Sequence, residues 1–199
     1  MSRTVLACGA LAATIASAAS ADVVVLTGEN VFDLFAANAG VGTVTETFDA
    51  FSGFYNDPLA GSTGAINWTA SATGGLFADS GVMSTNQANV SLSFSFEAGA
   101  VQGVGGTMFA TDINFNVIPA VIYISLADGT SYAGYVTSAS QFVGFFSTDS
   151  SIVGMTIQAQ SLVGANVYPS VDTLKFAVPA PGALALLGLA GATGLRRRR

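Results

Sequence analysis

Polar and apolar side chains alternate without a break through Ser91-Leu92-Ser93-Phe94-Ser95-Phe96. A strand with one wet face and one buried face needs a period of two, so Leu92, Phe94 and Phe96 are predicted to face a core. The same reading marks strands at 43–48, at 65–70 around the only tryptophan, Trp68, at 76–83 and at 88–96. In the second half it marks 107–110, 113–117, 120–126, 131–136, 141–146, 152–159 and 173–176. The β-branched run at 22–26 reads as an edge strand. Asp128-Gly129, directly after the run ending at Leu126 and Ala127, predicts a hairpin turn that needs positive φ. Gly103-Val104-Gly105-Gly106 reads as a turn, because no lysine follows it to make a phosphate loop.

The helical period appears once, over 27–40. Val31, Leu34, Phe35 and Asn38 recur at three and four, Thr27 stands ready to cap the start and Gly40 to end it. Many short strands at regular spacing with a single short helix predict an all-β chain. The architecture expected is one jelly-roll-like β-sandwich. No internal repeat is visible, which disfavours a propeller or solenoid.

The ends read differently. Met1-Ser2-Arg3 is a short positive start, Val5 to Ala19 is small and apolar, and Ala19-Ser20-Ala21 is an Ala-x-Ala cleavage site. Residues 1–21 are therefore expected to be a signal peptide. Cys8 is no lipid-attachment site, because too few apolar residues precede it. At the other end Pro179-Ala180-Pro181 leads into an uncharged stretch to Leu195 and then Arg196, Arg197, Arg198 and Arg199. As a helix, 182–195 spans roughly 20 Å at ~1.5 Å per residue, and it approaches a spanning length once Val178 to Pro181 are added and the arginines snorkel. Four arginines would keep that end cytoplasmic.

This order of a Pro-x-Pro break, an apolar helix and an arginine cluster resembles the PEP-CTERM sorting signal. The resemblance implies recognition and cleavage by an exosortase, a membrane protease. Alanine stands here at position 180, where the usual signal has glutamate. Residues 178–199 are assigned to that segment and 22–177 to an extracellular domain. The domain also resembles the β-sandwich common in such proteins. The carrying residues are Val44-Thr45-Glu46-Thr47-Phe48-Asp49, Gly105 to Asp112, Ile124 to Gly129, Phe142 to Phe146 and Val171-Asp172-Thr173-Leu174-Lys175-Phe176. Sandwiches of this kind often tie the first core strand to the last with Ca²⁺. That ion would fall between Asp49 and Asp172, with Glu46 and Thr47 adding oxygens.

Charge and composition remove whole classes of function. The domain has twelve acids against one base, Lys175, so one less twelve gives a net charge of −11. Nucleic acid is excluded as a partner, since phosphate binding needs Lys and Arg. The chain has no His, which excludes Ser-His-Asp and Cys-His catalysis and His-ligated zinc or iron. The single Cys lies in the signal peptide, so no disulfide supports the domain.

Two chemistries stay open. A glycosidase pair would draw on Glu46, Asp49, Glu97 or Asp112, although acids at turns more commonly cap them. A sugar platform would draw on Phe54, Tyr55, Trp68, Tyr132 or Tyr135, although most aromatics are needed for the core. Ice binding would want a regular Thr array, and the Thr residues follow no fixed period. The reading is an exported, non-enzymatic protein. Its tail anchors it transiently in the inner membrane, and it is then sorted to the cell surface or matrix. The alternative is a carbohydrate-binding module for an extracellular polysaccharide.

Overall fold

The computed structural model describes residues 23–179, and they form an antiparallel β-sandwich of fourteen strands with one helix. The first sheet contains β1 (Val23–Thr27), β2 (Gly42–Glu46), β3 (Gly53–Tyr55), β6 (Leu76–Asp79) and β7 (Val82–Thr85). It also contains β9 (Gly103–Thr111), β12 (Phe142–Ser147) and β14 (Tyr168–Val178). Its order is β1-β12-β9-β14-β7-β6-β3, with β2 also paired to β14. The second sheet runs β11 (Ser131–Val136), β10 (Ala120–Leu126), β13 (Gly154–Ser161), β8 (Leu92–Phe96), β5 (Ile66–Ser71), β4 (Leu59–Thr63). The all-β sandwich expected from the pattern is therefore what forms, and β1 lies at a sheet edge.

The inner faces carry one core. Leu92, Phe94 and Phe96 are buried while Ser93 is half-buried and Ser95 exposed, as the alternation requires. Phe94 meets Phe48 and Trp68, each with ring centroids 6.2 Å away, and Phe96 meets Phe176 at 5.4 Å. The β10–β11 hairpin turns at Asp128-Gly129, with Gly129 at φ 93° and Asp128 Oδ1 accepting the Thr130 N–H at 2.8 Å.

The helix α1 (Glu29–Asn38) lies on the outer face of the first sheet. There it covers β12, β9 and β14, so these strands are buried on both faces and lose the alternating pattern. Its inward residues are Phe32 and Ala36, whereas Val31 and Leu34 are 47 % and 63 % exposed. The stripe read from Val31, Leu34, Phe35 and Asn38 is thus rotated, with only Phe35 partly inward. Phe32 is the anchor: it packs edge-on against Phe142 at 5.6 Å and Phe146 at 6.4 Å. Gly28, not Thr27, occupies the cap position, and no side chain caps the helix. Lys175 on β14 donates to Glu29 and, at 3.0 Å, to both oxygens of Asp33. The domain's one cation therefore latches the helix to the sheet.

Three predicted segments are corrected. Gly103 to Gly106 is the start of strand β9, not a turn. Its glycines admit aromatic rings: a Cβ on Gly105 would lie 2.6 Å from Phe142, and one on Gly144 of β12 would lie 2.6 Å from Phe32. Residues 76–83 are a hairpin of two strands turning at Ser80-Gly81, and β3 and β4 arise where no strand was predicted. Residues 113–117 form a loop rather than a strand, for a reason that belongs to the cleft they enclose.

Candidate ligand-binding cleft

The helix covers only the half of the outer face that lies near the chain ends. Over the other half is a cleft of about 220 Å³ between β6, β7, the end of β9 and the start of β14. Buried Ser84 and Thr111 line its floor, and the fully buried Ser170 links their hydroxyls. Ser170 Oγ lies 2.9 Å from Ser84 Oγ and 3.1 Å from Thr111 Oγ1, and Ser84 Oγ donates to the Pro169 carbonyl. Phe77, Tyr168 and Phe115 wall it, and Asn86 and Thr85 lie at its rim. Asn86 is fixed by donating its side-chain amide to the Gly74 carbonyl. Phe54 stands opposite Phe77 across the β3–β6 pair, so this candidate platform residue does extend the aromatic surface.

Asp112 organises the loop that closes the cleft. Its Oδ1 accepts the N–H groups of Asn114 at 2.8 Å and Asn116 at 3.0 Å, and its Oδ2 accepts the Asn116 side-chain amide at 3.0 Å. The chain folds back so that Phe115, at φ 62°, lies against Phe77 with centroids 5.7 Å apart. This Asp-x-Asn-x-Asn turn overrides the strand propensity of Ile113, Phe115 and Val117. The Asn116 amide, opposed by slight burial and helped by the two backbone N–H donors, holds the Asp112 carboxyl below its ordinary value.

A glycosidic general acid needs a raised value, so the lowered one argues against that role for Asp112, whose three accepted hydrogen bonds hold the turn. The other three candidate acids also accept hydrogen bonds. Glu46 accepts the Phe48 N–H at 2.8 Å and the Thr63 hydroxyl, and Thr63 in turn accepts the Trp68 indole N–H at 3.0 Å. Glu97 accepts from Asn67, and Asp49 from Thr47. Asp112 alone of the four lines the cleft.

Trp68, 1 % exposed, is a core residue and is corrected as a platform candidate. The close face of Gly61 admits its ring, since a Cβ there would fall 2.1 Å from it. Tyr55 and Tyr132 are half-buried against the core, and Tyr135 is exposed on the second sheet. The expected calcium ligands meet one irregularity of the fold. β14 breaks register between Val171, paired to Met83 of β7, and Leu174, paired to Glu46 of β2. Asp172 lies in that break, and Asp49 follows β2 beside the Gly81 turn that leads into β7. No group of three or more His, Cys, Asp or Glu suited to a metal occurs among the described residues.

Pro179 is the one sorting-motif residue within the described part, where it lines a shallow pocket with Gln102 and Asp149. Ala19, Ala21, Ala180, Pro181 and Arg196 to Arg199 lie outside the described residues, as do the expected signal peptide and apolar C-terminal helix. Among the described residues no helix is long and apolar enough to cross a membrane.

No protein-family model and no curated protein matches the chain. Among solved structures the chain is similar to the CBM22-1 xylan-binding domain of Xyn10C from Paenibacillus barcinonensis. Identity is 13 % over 68 % of this chain and 94 % of that one, with a TM-score of 0.27. A likeness that shallow transfers neither ligand nor site residues.

The cleft residues Phe77, Ser84, Asn86, Thr111, Phe115 and Tyr168, and Ser170 that links two of them, were not singled out by the sequence. The readable signal was Asp112-Ile113-Asn114-Phe115-Asn116, an Asx-turn pattern masked by its apolar residues.

Proposed function

We propose that the chain is an exported, non-enzymatic protein, sorted to the cell surface or extracellular matrix by an exosortase-type system, whose β-sandwich binds carbohydrate. The observation that carries the binding part is the cleft. Aromatic rings form its walls, hydroxyls its floor and an amide its rim, and its one carboxylate is already engaged by three N–H donors. Neutral sugars present apolar ring faces and hydroxyl edges, which such a site complements without ion desolvation.

The placement of the ends supports the sorting part. Val23 pairs with Ser147 and Ala177 pairs with Gly103, so both ends of the described chain leave at one pole. The cleft lies at the Thr111–Tyr168 pole, roughly 26 Å away along the nine residues of β9 at ~3.3 Å each. A chain held by its C-terminus would thus present the cleft away from the membrane.

Glycan-array binding by residues 23–179, with every strand of both sheets included, tests the first part. A hit abolished by Tyr168→Ala is expected, and no hit on any neutral glycan would reject it. Intact-mass analysis of surface-released protein tests the second. Loss of Arg196 to Arg199 is expected, and a complete C-terminus in released material would reject processing.

A further inference from the structure

We propose that the outer face of the six-stranded sheet is a second binding surface, a platform for an uncharged, extended polysaccharide chain. The pair registers bring Ser131, Ser125, Thr156, Ser93 and Ser71 into one row across β11, β10, β13, β8 and β5. Four inter-strand steps of ~4.8 Å make that row about 19 Å long. Beside it, on β10 and β11, stand Tyr123 and Tyr135, 41 % and 53 % exposed.

Cross-strand hydrogen bonds already order this face. Ser93 and Thr156 hydroxyls are 3.1 Å apart, Gln158 Nε2 donates to Ser91 Oγ at 3.0 Å, and the Tyr123 hydroxyl donates to Gln160 Oε1 at 3.2 Å. Side chains ordered before binding lose less entropy on binding.

The charge distribution selects the occupant. The domain from 22 to 177 carries twelve acids, yet no outward position of these five strands is charged; Glu97, just beyond β8, only borders the face. Exposed sheet faces ordinarily carry charge for solubility. A face that excludes it binds a neutral polymer by exchanging hydroxyl hydrogen bonds and stacking on tyrosine, with no ion to desolvate. An anionic polymer would instead meet the repulsion of a domain at −11. A second copy of this chain would have to cover the hydroxyl row, which offers no apolar centre of the kind a stable dimer buries; the apolar outward positions Val121, Tyr123, Ala133 and Tyr135 lie to one side of it, on β10 and β11.

The test uses residues 23–179 in depletion and affinity-electrophoresis assays with cellulose, xylan, chitin and mixed-linkage glucan, and alginate as the anionic counterpart. Thr156→Arg puts a charge in the middle of the row, and Tyr123→Ala removes an exposed ring with little risk to the core. Tyr168→Ala perturbs only the cleft. Retention by at least one neutral polymer and not by alginate is expected. It should be insensitive to salt and weakened about tenfold or more by each face substitution, a loss of about 1.4 kcal/mol or more. Retention by no neutral polymer, or retention indifferent to both face substitutions, would overturn the platform. Binding lost only in Tyr168→Ala would also overturn it while leaving the cleft intact as a sugar site. A dimer that Thr156→Arg dissociates, without polysaccharide retention, would reassign the face to self-association. Binding at the face with no effect of Tyr168→Ala on any glycan would leave the platform standing and remove the cleft reading alone.

Discussion

Phe94 and Ser93 are neighbours in sequence and opposites in environment. Phe94 is buried between Phe48 and Trp68, while Ser93 faces outward to Thr156. Phe94→Ala should therefore cost about 3–5 kcal/mol in denaturant unfolding, from lost burial and the cavity left behind. Ser93→Ala should cost about 1 kcal/mol or less, the net worth of one half-exposed hydrogen bond. Equal costs would mean that the face assignment of β8 is wrong. Asp112 makes a pH prediction at the same scale. A depressed carboxyl value means that the folded loop binds the proton more weakly than the unfolded chain does. Its contribution is thus whole above 3.8, the ordinary aspartate value, and is lost as pH falls through the lower folded value. Cleft binding should stay flat from neutral pH down to about that value and fall below it. Asp112→Ala should lose binding at neutral pH with the global melt nearly unchanged, because the loop is exposed. A melt that drops with the binding would make Asp112 a determinant of the whole fold instead.

The helix is the element with a chemical latch. Burial works against the charged form of Lys175, but its hydrogen bonds to Glu29 and Asp33 outweigh this and hold the ammonium above its usual value of 10.5. A raised lysine value means that the folded state holds the proton more tightly. Its stabilisation is therefore complete below 10.5 and disappears as pH rises through the folded value. Protection from amide exchange, taken relative to the intrinsic base-catalysed rate, should fall selectively in α1 at high alkalinity, and Lys175→Met should show that lower protection already at neutral pH. Uniform loss of protection across both sheets would place the latch in the global fold. The β14 break offers a second test between elements. A calcium ion between Asp49 and Asp172 would tie β2 to β14, and binding to the native state alone would raise the melting temperature. The expected result is a calcium-dependent rise, reversed by EDTA and absent in Asp172→Ala. No rise in the parent domain would leave both residues as local caps, Asp49 accepting from Thr47 and Asp172 from Thr173.

At the scale of the molecule, one sheet face is shared by a helix and a cleft, and the other sheet keeps its outer face bare. The helix covers the pole where the chain ends leave, and the cleft takes the opposite pole. Its only cation is spent internally on the latch, so the domain presents acids and neutral polar groups to its surroundings. Phosphate polymers are poor partners for such a surface, and neutral ones meet no electrostatic penalty.

What depends on neighbouring residues was legible in the chain alone. The strict alternation at 91–96 set the buried face of β8, Asp128-Gly129 set a hairpin, and the absence of His and of any mature-domain Cys removed whole chemistries. Each follows from local stereochemistry or composition, which tertiary context cannot rewrite. What depends on partners far along the chain was settled by long-range packing. Which face of α1 turns inward was settled by the room that Gly144 and Gly105 leave for Phe32 and Phe142. Whether Trp68 meets solvent or core was settled by Thr63, Glu46 and Gly61. Asp112-Ile113-Asn114-Phe115-Asn116 carried both a strand signal and a turn signal, and hydrogen bonds to one carboxylate chose the turn. The cleft is assembled from four strands and the hydroxyl row from five. Their registers are long-range facts, fixed by sheet pairing and invisible to any local window.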